Sequence, residues 1–394
     1  MRTTLLSTLI ASAVALLCAC GGGSDQDPGP GVNPPPGVNP APGSQQPGTP
    51  DTDLITAQPR ARLALLWGPL RPVSDAARVQ QAGCVDGPSG TEGGPLLGHT
   101  QALAPAHASA SAALLTLEQG ACDRQWRLRR LDLGSGQMHT VYTAAQPDFS
   151  AAQPQSLLSP SAVLDLGQGR YLIADSQIFT GGLTITPRDK PGFGNGLWLL
   201  HANGQLQQLA GFATPNRSGA PGPFRDGQGP AASFSSLTAL CASHEPQRFY
   251  ALDAGVLRSI DLDGRVTTLR HGAEGRQLQG LVCGVAGQAL AALRPDGDAP
   301  QQVTAVELPS GQQYNLPRAD FAWLVALAGN GQAWRRDPDE PGKLQLYDLQ
   351  RAQPIEGTTV HAQHPQLQGM AFAAGDGQTL YYAGLHALLR VQAD

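Results

Sequence analysis

Four short turns of one kind recur along this sequence, and they constrain its fold more than any other feature. Each places Asn-Gly, Asp-Gly or Ser-Gly between two apolar runs; the turns are Gly134-Ser135-Gly136, Asn203-Gly204, Asp263-Gly264 and Ser310-Gly311. Asn, Asp and Gly tolerate the positive φ angles that tight hairpins need, so each turn predicts two antiparallel strands. From residue 60 onward the apolar residues follow no long helical period. The chain is therefore predicted to be all-β.

A second pair of strands precedes each hairpin, so the repeating unit holds four strands. The second strands end at Asp175, Asp253, Leu293, Arg336 and Gly384, of which the last four are 40, 43 and 48 residues apart. Four strands in 40–50 residues are typical of a β-propeller blade. The predicted blades are 108–145, 156–212, 235–272, 278–317, 320–360 and 366–394. Five or seven blades are the alternatives, because residues 70–107 resemble a loop and are hard to place.

The last predicted blade contains only three strand-like runs, whereas a blade needs four. The run at 62–68 near the N-terminus has the composition of a strand and belongs to no hairpin. Pairing the first strand with the last one closes the ring and covers two sheet edges that would otherwise invite aggregation. The predicted fold is a six-bladed β-propeller closed by an N-terminal strand.

A recognisable pattern occupies the connector and the hairpin of the third predicted blade. Its positions are Asp226, Gly227, Gly229, Ala232 and Phe234 in the connector, and Asp253, Ile260, Asp261, Asp263 and Gly264 in the blade. This pattern resembles NHL-repeat propellers, in which a DGxGxxAxF connector precedes an LYVAD-like strand and an IDxDGxVTTL hairpin. The resemblance is good over 196–272, weaker over 278–394, and reduced to strand rhythm over 60–150. Because Leu293, Arg336 and Gly384 replace the strand-ending aspartate in later blades, the resemblance implies no complete ring of aspartates.

The first twenty residues, MRTTLLSTLIASAVALLCAC, have the layout of an export signal. Arg2 supplies a positive start, and the 13 residues of the apolar stretch 5–17 are too few to span a bilayer, which needs about 20. The end of this segment resembles the lipobox of bacterial lipoproteins, with Cys20 directly after a small residue. The resemblance implies that 1–19 is a signal peptide and that Cys20 carries a diacylglycerol and becomes the mature N-terminus. The alternative is an ordinary signal peptide with incidental cysteines.

Residues 20–59 are predicted to be the lipidated cysteine followed by a disordered linker. Between Gly21 and Pro50 there are 8 Gly and 9 Pro among 30 residues, a composition that cannot form a strand ladder or bury a core. In lipoproteins an Asp directly after the lipidated cysteine favours the inner membrane. Gly21 stands there instead, so the resemblance implies the outer membrane, on its periplasmic or surface face. The propeller is predicted to occupy 60–394.

Four cysteines follow the lipobox, an even number that suggests disulfides in an exported chain. Cys84 and Cys122 lie in Gly-bounded loops that a bridge would hold together. Cys241 and Cys283 occupy the same repeat position in consecutive blades, where neighbouring inner strands approach each other. Two buried thiols are the alternative for this second pair.

Charge and motif content exclude several functions. The net charge is −5 with no basic block, which argues against a nucleic-acid partner. The sequence carries no G-x-S-x-G elbow, H-E-x-x-H motif or P-loop. We therefore predict no catalytic residues and no cofactor.

Three aspartates, Asp165, Asp175 and Asp253, are weak candidates for a metal site. Around a channel mouth they would resemble the ion site of propeller lactonases of the gluconolactonase type, which makes a metal-dependent hydrolase or lyase the alternative function. An aspartate that ends a strand also accepts hydrogen bonds from the amides of the next turn, and we favour this structural role.

Two long loops, 176–195 and 212–234, are the best candidates for binding, because long loops on a rigid scaffold commonly carry function. They mix aromatic and basic side chains at Arg188, Lys190, Phe193, Phe224 and Arg225. The predicted function is a membrane-anchored binding platform for a protein or glycan partner of the cell envelope.

Overall fold

The computed structural model describes residues 55–69, 73–88, 94–106, 113–145, 157, 159–175, 196–211, 225–270, 278–285, 287–293, 301–340, 342–362, 371–376 and 378–394. Two strands near the N-terminus, β1 (Ile55–Ala57) and β2 (Ala61–Trp67), join sheets formed later in the chain. A short helix, α1 (Ala76–Gln80), follows them, with the Asp75 side chain capping its first amides. None of the described helices is long and apolar enough to cross a membrane.

Six antiparallel sheets follow one another as the blades of a propeller. Blade 1 contains β3 (Gly87–Pro88), β4 (His99–Ala106), β5 (Ala113–Gln119), β6 (Trp126–Asp132) and β7 (Gln137–Thr143). Blade 2 contains β8 (Pro160–Gly167), β9 (Arg170–Asp175), β10 (Gly196–Leu200) and β11 (Leu206–Ala210). Blade 3 contains β12 (Gly227–Gln228), a 3-10 turn (Gly229–Ala231), β13 (Leu237–Ala242), β14 (Arg248–Asp253), β15 (Val256–Asp261) and β16 (Arg265–Arg270).

The remaining three blades follow along the chain. Blade 4 contains β17 (Leu278–Cys283), β18 (Ala289–Leu293), β19 (Gln302–Leu308) and β20 (Gln313–Pro317). After α2 (Arg318–Phe321), blade 5 contains β21 (Leu324–Gly329), β22 (Gln332–Arg336), β23 (Lys343–Asp348), β24 (Gln353–Pro354) and β25 (Val360–Ala362). Blade 6 contains β26 (Ala371–Ala374), β27 (Thr379–Ala383) and β28 (Leu388–Ala393). The predicted six-bladed, all-β propeller is confirmed.

The N-terminal strand closes the ring as predicted. β2 pairs antiparallel with β28, from Ala61 opposite Ala393 to Trp67 opposite Leu388, and it is the fourth strand of blade 6. Strand β1 pairs with β25 at the outer edge of blade 5. This short strand lies before residue 60, where the sequence analysis places the start of the propeller.

Blade 1 begins earlier than the sequence analysis indicates. The sequence of residues 99–106 resembles that of a loop, but these residues form the innermost strand of the blade. They pair with β5 from His99 opposite Gln119 to Ala106 opposite Ala113. The segment HTQALAPA contains only one β-branched residue and ends near a proline, so its strand propensity is low. It becomes a strand because Leu103 is buried against blade 6 and Ala104 is buried against blade 2.

Apolar side chains pack between neighbouring blades. Leu172 and Leu197 of blade 2, for example, form one buried cluster with Leu240 and Phe249 of blade 3. Burying a side chain of this size contributes about 1.5–3 kcal/mol. The hydrophobic core is therefore divided among the blade interfaces.

The strand directions give the propeller two different faces. The turns between strands one and two, and in blades 1 to 5 those between strands three and four, lie at one end, which we call the turn face; it includes Asn203-Gly204 and Ser310-Gly311. The connections between strands two and three and those between blades lie at the other end, which we call the loop face. Asp175 opposite Pro160 and Asp253 opposite Leu237 mark this loop face.

Both predicted disulfides are present. Cys84 is bonded to Cys122 at an S–S distance of 2.12 Å, which ties the connector before blade 1 to a loop of that blade. Cys241 is bonded to Cys283 at 2.00 Å, which joins the innermost strands of blades 3 and 4. The second bond is a covalent link across a blade interface.

Removing the link between blades 3 and 4 is expected to lower the free energy of unfolding by about 2–4 kcal/mol, because a loop closed by residues 42 positions apart restricts the unfolded chain. The variant Cys241→Ala/Cys283→Ala should unfold at lower urea concentration than the wild type. Dithiothreitol should destabilise this variant less than the wild type, since only the other disulfide remains to be reduced. An unchanged urea midpoint would contradict a stabilising role.

Candidate binding face

A buried ion pair lies beneath the loop face of blade 3. The carboxylate of Asp253, at the end of β14, accepts the backbone N–H groups of Ser235 at 2.7 Å and Ser236 at 2.8 Å. The Arg258 guanidinium donates to the same carboxylate at 2.8 Å, and both side chains are fully buried. Burial raises the pKa of Asp253, while the two amides and Arg258 act in the opposite direction. A buried charge needs such partners, so this aspartate is held in place by structure.

The second arm of the same guanidinium fixes the connector that leads into blade 3. Arg258 donates to Asp226 at 2.9 Å and to the carbonyl of Arg225 at 3.0 Å. Asp226 in turn accepts the N–H of Thr268 at 3.0 Å and its hydroxyl at 2.8 Å. Burial raises the pKa of Asp226, but Thr268 and Arg258 outweigh it and hold the pKa below its usual value. We call Asp226, Asp253, Arg258 and Thr268 the connector clamp.

The connector clamp occurs a second time, in blade 1. Arg129 binds Glu118 at 3.0 Å and Asp86 at 3.4 Å, and both Arg129 and Glu118 are fully buried. Asp86 accepts the N–H of Thr140 at 2.7 Å and its hydroxyl at 2.8 Å. Glu118 also accepts the N–H of Gly98. In blade 1, Asp86, Arg129 and Thr140 therefore correspond to Asp226, Arg258 and Thr268 of blade 3. Glu118 takes the place of Asp253.

Sequence reasoning missed this second clamp, although one signal was present. Asp86-Gly87 repeats the Asp226-Gly227 that opens the connector of blade 3, and both dipeptides lead into a two-residue outer strand, β3 and β12. The acidic partner and the arginine are separated by 11 residues in blade 1 and by 5 in blade 3. The loop between the second and third strands is longer in blade 1 than in blade 3, which changes this spacing. A search for a fixed repeat period therefore does not align the two clamps.

The three aspartates proposed as weak metal ligands are not gathered at one site. Asp175 and Asp253 lie at the loop face, whereas Asp165 lies five residues along β8 from Pro160, near the turn face. At about 3.3 Å per residue, the two ends of that strand are roughly 16 Å apart. Asp165 accepts the N–H of Gly167 at 2.8 Å in its own hairpin. Asp175 accepts the N–H of Ser159 at 2.6 Å, as Asp253 does with its own turn.

Small and apolar residues dominate the six innermost strands, β4, β8, β13, β17, β21 and β26. These strands carry one carboxylate, Asp165, and one imidazole, His99, and no Lys, Arg or Glu. The side chain of Asp165 is only 3% exposed. The strands around the axis therefore supply few groups able to bind an ion or transfer a proton.

Among the described residues, the one group of potential metal ligands is Cys84, Cys122 and Asp123. The two sulfur atoms are bonded to each other, and Asp123 forms an ion pair with Arg127 at 2.6 Å. The hydrogen bond from Arg127 is the main reason that the pKa of Asp123 is lowered. All three side chains are therefore already bonded to other residues of this chain.

One of the five predicted binding-loop residues lies in the described part of the chain. Arg225 is exposed at the outer edge of blade 3, where its backbone pairs with Ser233 through two 3.0 Å hydrogen bonds. Its carbonyl also accepts Arg258, so the clamp holds its backbone in position. The other four, Arg188, Lys190, Phe193 and Phe224, lie outside the described residues, as does Cys20.

The fold defines the class of the protein, the six-bladed β-propellers. No protein-family model matches the chain, and no curated protein matches it. Among solved structures, it is similar to an auxiliary nutrient binding protein from Bacteroides thetaiotaomicron, with 10% identity, a TM-score of 0.47 and coverage of 84% of this chain and 76% of that one.

Two further solved structures resemble the chain. The gluconolactonase XC5397 from Xanthomonas campestris has 14% identity and a TM-score of 0.44, with coverage of 86% of this chain and 91% of that one. Virginiamycin B lyase from Staphylococcus aureus has 11% identity and a TM-score of 0.42, with coverage of 75% and 96%. Similarities at this level concern the fold, which hosts many functions.

Proposed function

We propose that this chain is an envelope lipoprotein whose propeller, built from NHL-type repeats, is a non-catalytic binding platform for a protein or glycan partner. The observation that carries the proposal is the chemistry of the innermost strands. They offer one carboxylate, Asp165, which is buried and hydrogen-bonded within its own hairpin. Such a centre favours binding through the loops over chemistry at the axis.

The connector clamp supports the NHL-type part of the proposal. The motif residues Asp226 and Asp253 are the two carboxylates that Arg258 joins. In the motif's hairpin, Asp261 accepts the N–H of Asp263 at 3.0 Å, and Gly264 adopts a φ of +76°. A side chain at Gly264 would lie 2.4 Å from a carbonyl oxygen of blade 2, so only glycine fits there.

The donor set does not favour a metal-dependent hydrolase or lyase. A divalent ion at the axis needs several oxygen ligands from different blades. Asp253 is bound to Arg258 and two amides, and Asp165 lies at the opposite end from Asp175.

The binding platform predicts a partner contact at the connector of blade 3. A photo-crosslinking residue placed at Arg225 is expected to capture one dominant partner in intact envelopes, because this exposed position lies in the clamped connector. The matched control is the same residue at Gln205, which is exposed in a hairpin at the turn face. The same captured species from both positions, or none from either, would contradict a platform at this connector.

The lipid anchor predicts a single acylation site. Metabolic labelling with palmitate is expected to mark the wild-type protein and to be lost in Cys20→Ala, because the thioether forms only at that sulfur. Cys18→Ala should keep its label and thereby control for a general loss of export. Equal labelling of Cys20→Ala and the wild type would refute the anchor.

A further inference from the structure

A polar groove lies between blades 4 and 5 on the turn face. It has a volume of about 580 Å³, within the range typical of small-molecule sites. Blade 4 contributes the hairpin between β19 and β20, and blade 5 contributes the turns that follow β21 and β23.

Backbone hydrogen bonds hold the walls of this groove. The N–H of Gly311 donates to the carbonyl of Glu307 at 2.8 Å, which closes the hairpin of blade 4. The N–H of Leu349 donates to the carbonyl of Gly331 at 2.9 Å, which joins the two turns of blade 5. A ligand therefore meets a surface that is largely formed in advance, which reduces the entropy lost on binding.

Four carboxamides line the groove: Gln288, Gln312, Asn330 and Gln350. Within the part of the chain that the structure describes, their side chains make no hydrogen bond. Each carboxamide offers two N–H donors and one carbonyl acceptor. Such groups match the hydroxyls of a sugar, which donate and accept hydrogen bonds from the same atom.

The charged side chains of the groove bind neighbouring side chains of this chain. Glu307 accepts the hydroxyl of Tyr314 at 2.8 Å, and Asp348 pairs with Arg351 at 3.3 Å. Two carboxylates and one guanidinium leave a formal charge of −1. This charge disfavours an acidic ligand, because like charges repel.

We propose that this inter-blade groove on the turn face binds a neutral saccharide through its four carboxamides. The inference rests on the proposed binding platform and identifies one of its ligands as a neutral saccharide. Vicinal hydroxyls would bridge pairs of carboxamides on the two blades, and the carboxylate oxygen of Glu307 that does not bind Tyr314 would accept a further hydroxyl group.

The test measures binding of chitotriose, cellotriose and maltotriose to the full chain by saturation-transfer NMR, with trigalacturonate as the acidic comparison. We expect at least one neutral trisaccharide to bind, and Gln312→Ala/Gln350→Ala to bind it at least tenfold more weakly. Both side chains are exposed, so the fold should be preserved.

Blade 1 supplies a matched control for this experiment. Its turn Ser135-Gly136-Gln137 repeats the sequence of Ser310-Gly311-Gln312, and the N–H of each glutamine donates to the serine hydroxyl, at 3.3 Å and 3.2 Å. Gln137 does not line the groove. Gln137→Ala should therefore bind the saccharide as tightly as the wild type.

Three results would overturn the inference: no binding of any neutral trisaccharide, unchanged affinity in Gln312→Ala/Gln350→Ala, or tighter binding of trigalacturonate. None of these results tests the binding platform itself, which is tested separately by the crosslinking experiment. A partner captured at position 225 without saccharide binding refutes the groove alone. Saccharide binding without such a partner refutes only the placement of the platform at the connector of blade 3.

Discussion

Replacing Arg258 by alanine is expected to lower the free energy of unfolding by about 3–5 kcal/mol, because it leaves a buried carboxylate without its cation. Asp253 would keep only the two serine amides, and Asp226 would keep only Thr268. Urea unfolding followed by tryptophan fluorescence measures the loss. The control is Arg265→Ala, an exposed residue of the same blade, which should change stability by no more than about 0.5 kcal/mol.

A double variant separates charge from packing in this prediction. Arg258→Met leaves Asp253 unpaired, whereas Asp253→Asn/Arg258→Met removes both charges. The double variant is expected to be more stable than Arg258→Met alone, since no unpaired charge remains buried. If the two variants unfold at the same urea concentration, the loss comes from packing and the ion pair is not its cause.

The pH dependence of Arg258→Ala has a defined sign. Burial already raises the pKa of Asp253, and the variant loses a cation that lowers it. A carboxyl whose pKa is higher in the folded state than in the unfolded state favours folding below the unfolded value, and this advantage is lost as the pH rises through the folded pKa. The deficit of the variant should therefore be largest at neutral pH and smaller near pH 4.

A chain that begins at residue 69 is expected to lose cooperative thermal unfolding. It lacks β2, which pairs with β28 along its length and covers Leu389 and Val391, both fully buried. Without β2, β28 becomes an exposed edge of an open ring, and such edges promote aggregation. Near-ultraviolet circular dichroism and size-exclusion chromatography measure the effect.

Two controls accompany the truncation. A chain that begins at Thr49 keeps the compact unit 49–394 and should melt like the full chain. A chain that begins at residue 58 lacks only the three residues of β1, so its loss should be small. Trp67→Ala, at a side chain that is 1% exposed in the closing strand, should cost about 3–5 kcal/mol without removing any backbone. A cooperative melt of the chain from residue 69 at the wild-type temperature would show that closure is unimportant.

Much of the architecture could be predicted from the sequence because it rests on local rules. Asn203-Gly204, Asp263-Gly264 and the two Ser-Gly turns all form hairpins between antiparallel strands. The missing strand of the last blade and the unpaired run at 62–68 together predicted the closure. Equivalent repeat positions predicted the bond between Cys241 and Cys283.

The parts that could not be predicted depend on contacts between distant segments. Strand β4 has little strand propensity of its own and is stabilised by burial against blades 2 and 6. The clamp of blade 1 joins Asp86 to Arg129 and Thr140, and the distance along the chain hides this relation. Asp165 and Asp175 are close in sequence but lie at opposite ends of a hairpin.

By itself, the sequence determined that the chain is a ring of four-stranded units and which strand closes it, and it offered two candidate disulfides. Turn chemistry and repeat period act over a few residues, so they are visible in one dimension. Only the tertiary structure decided which acidic residues are tied to arginines and which polar side chains line the groove between blades 4 and 5. Those properties depend on burial and on neighbours from other blades, and folding alone brings such neighbours together.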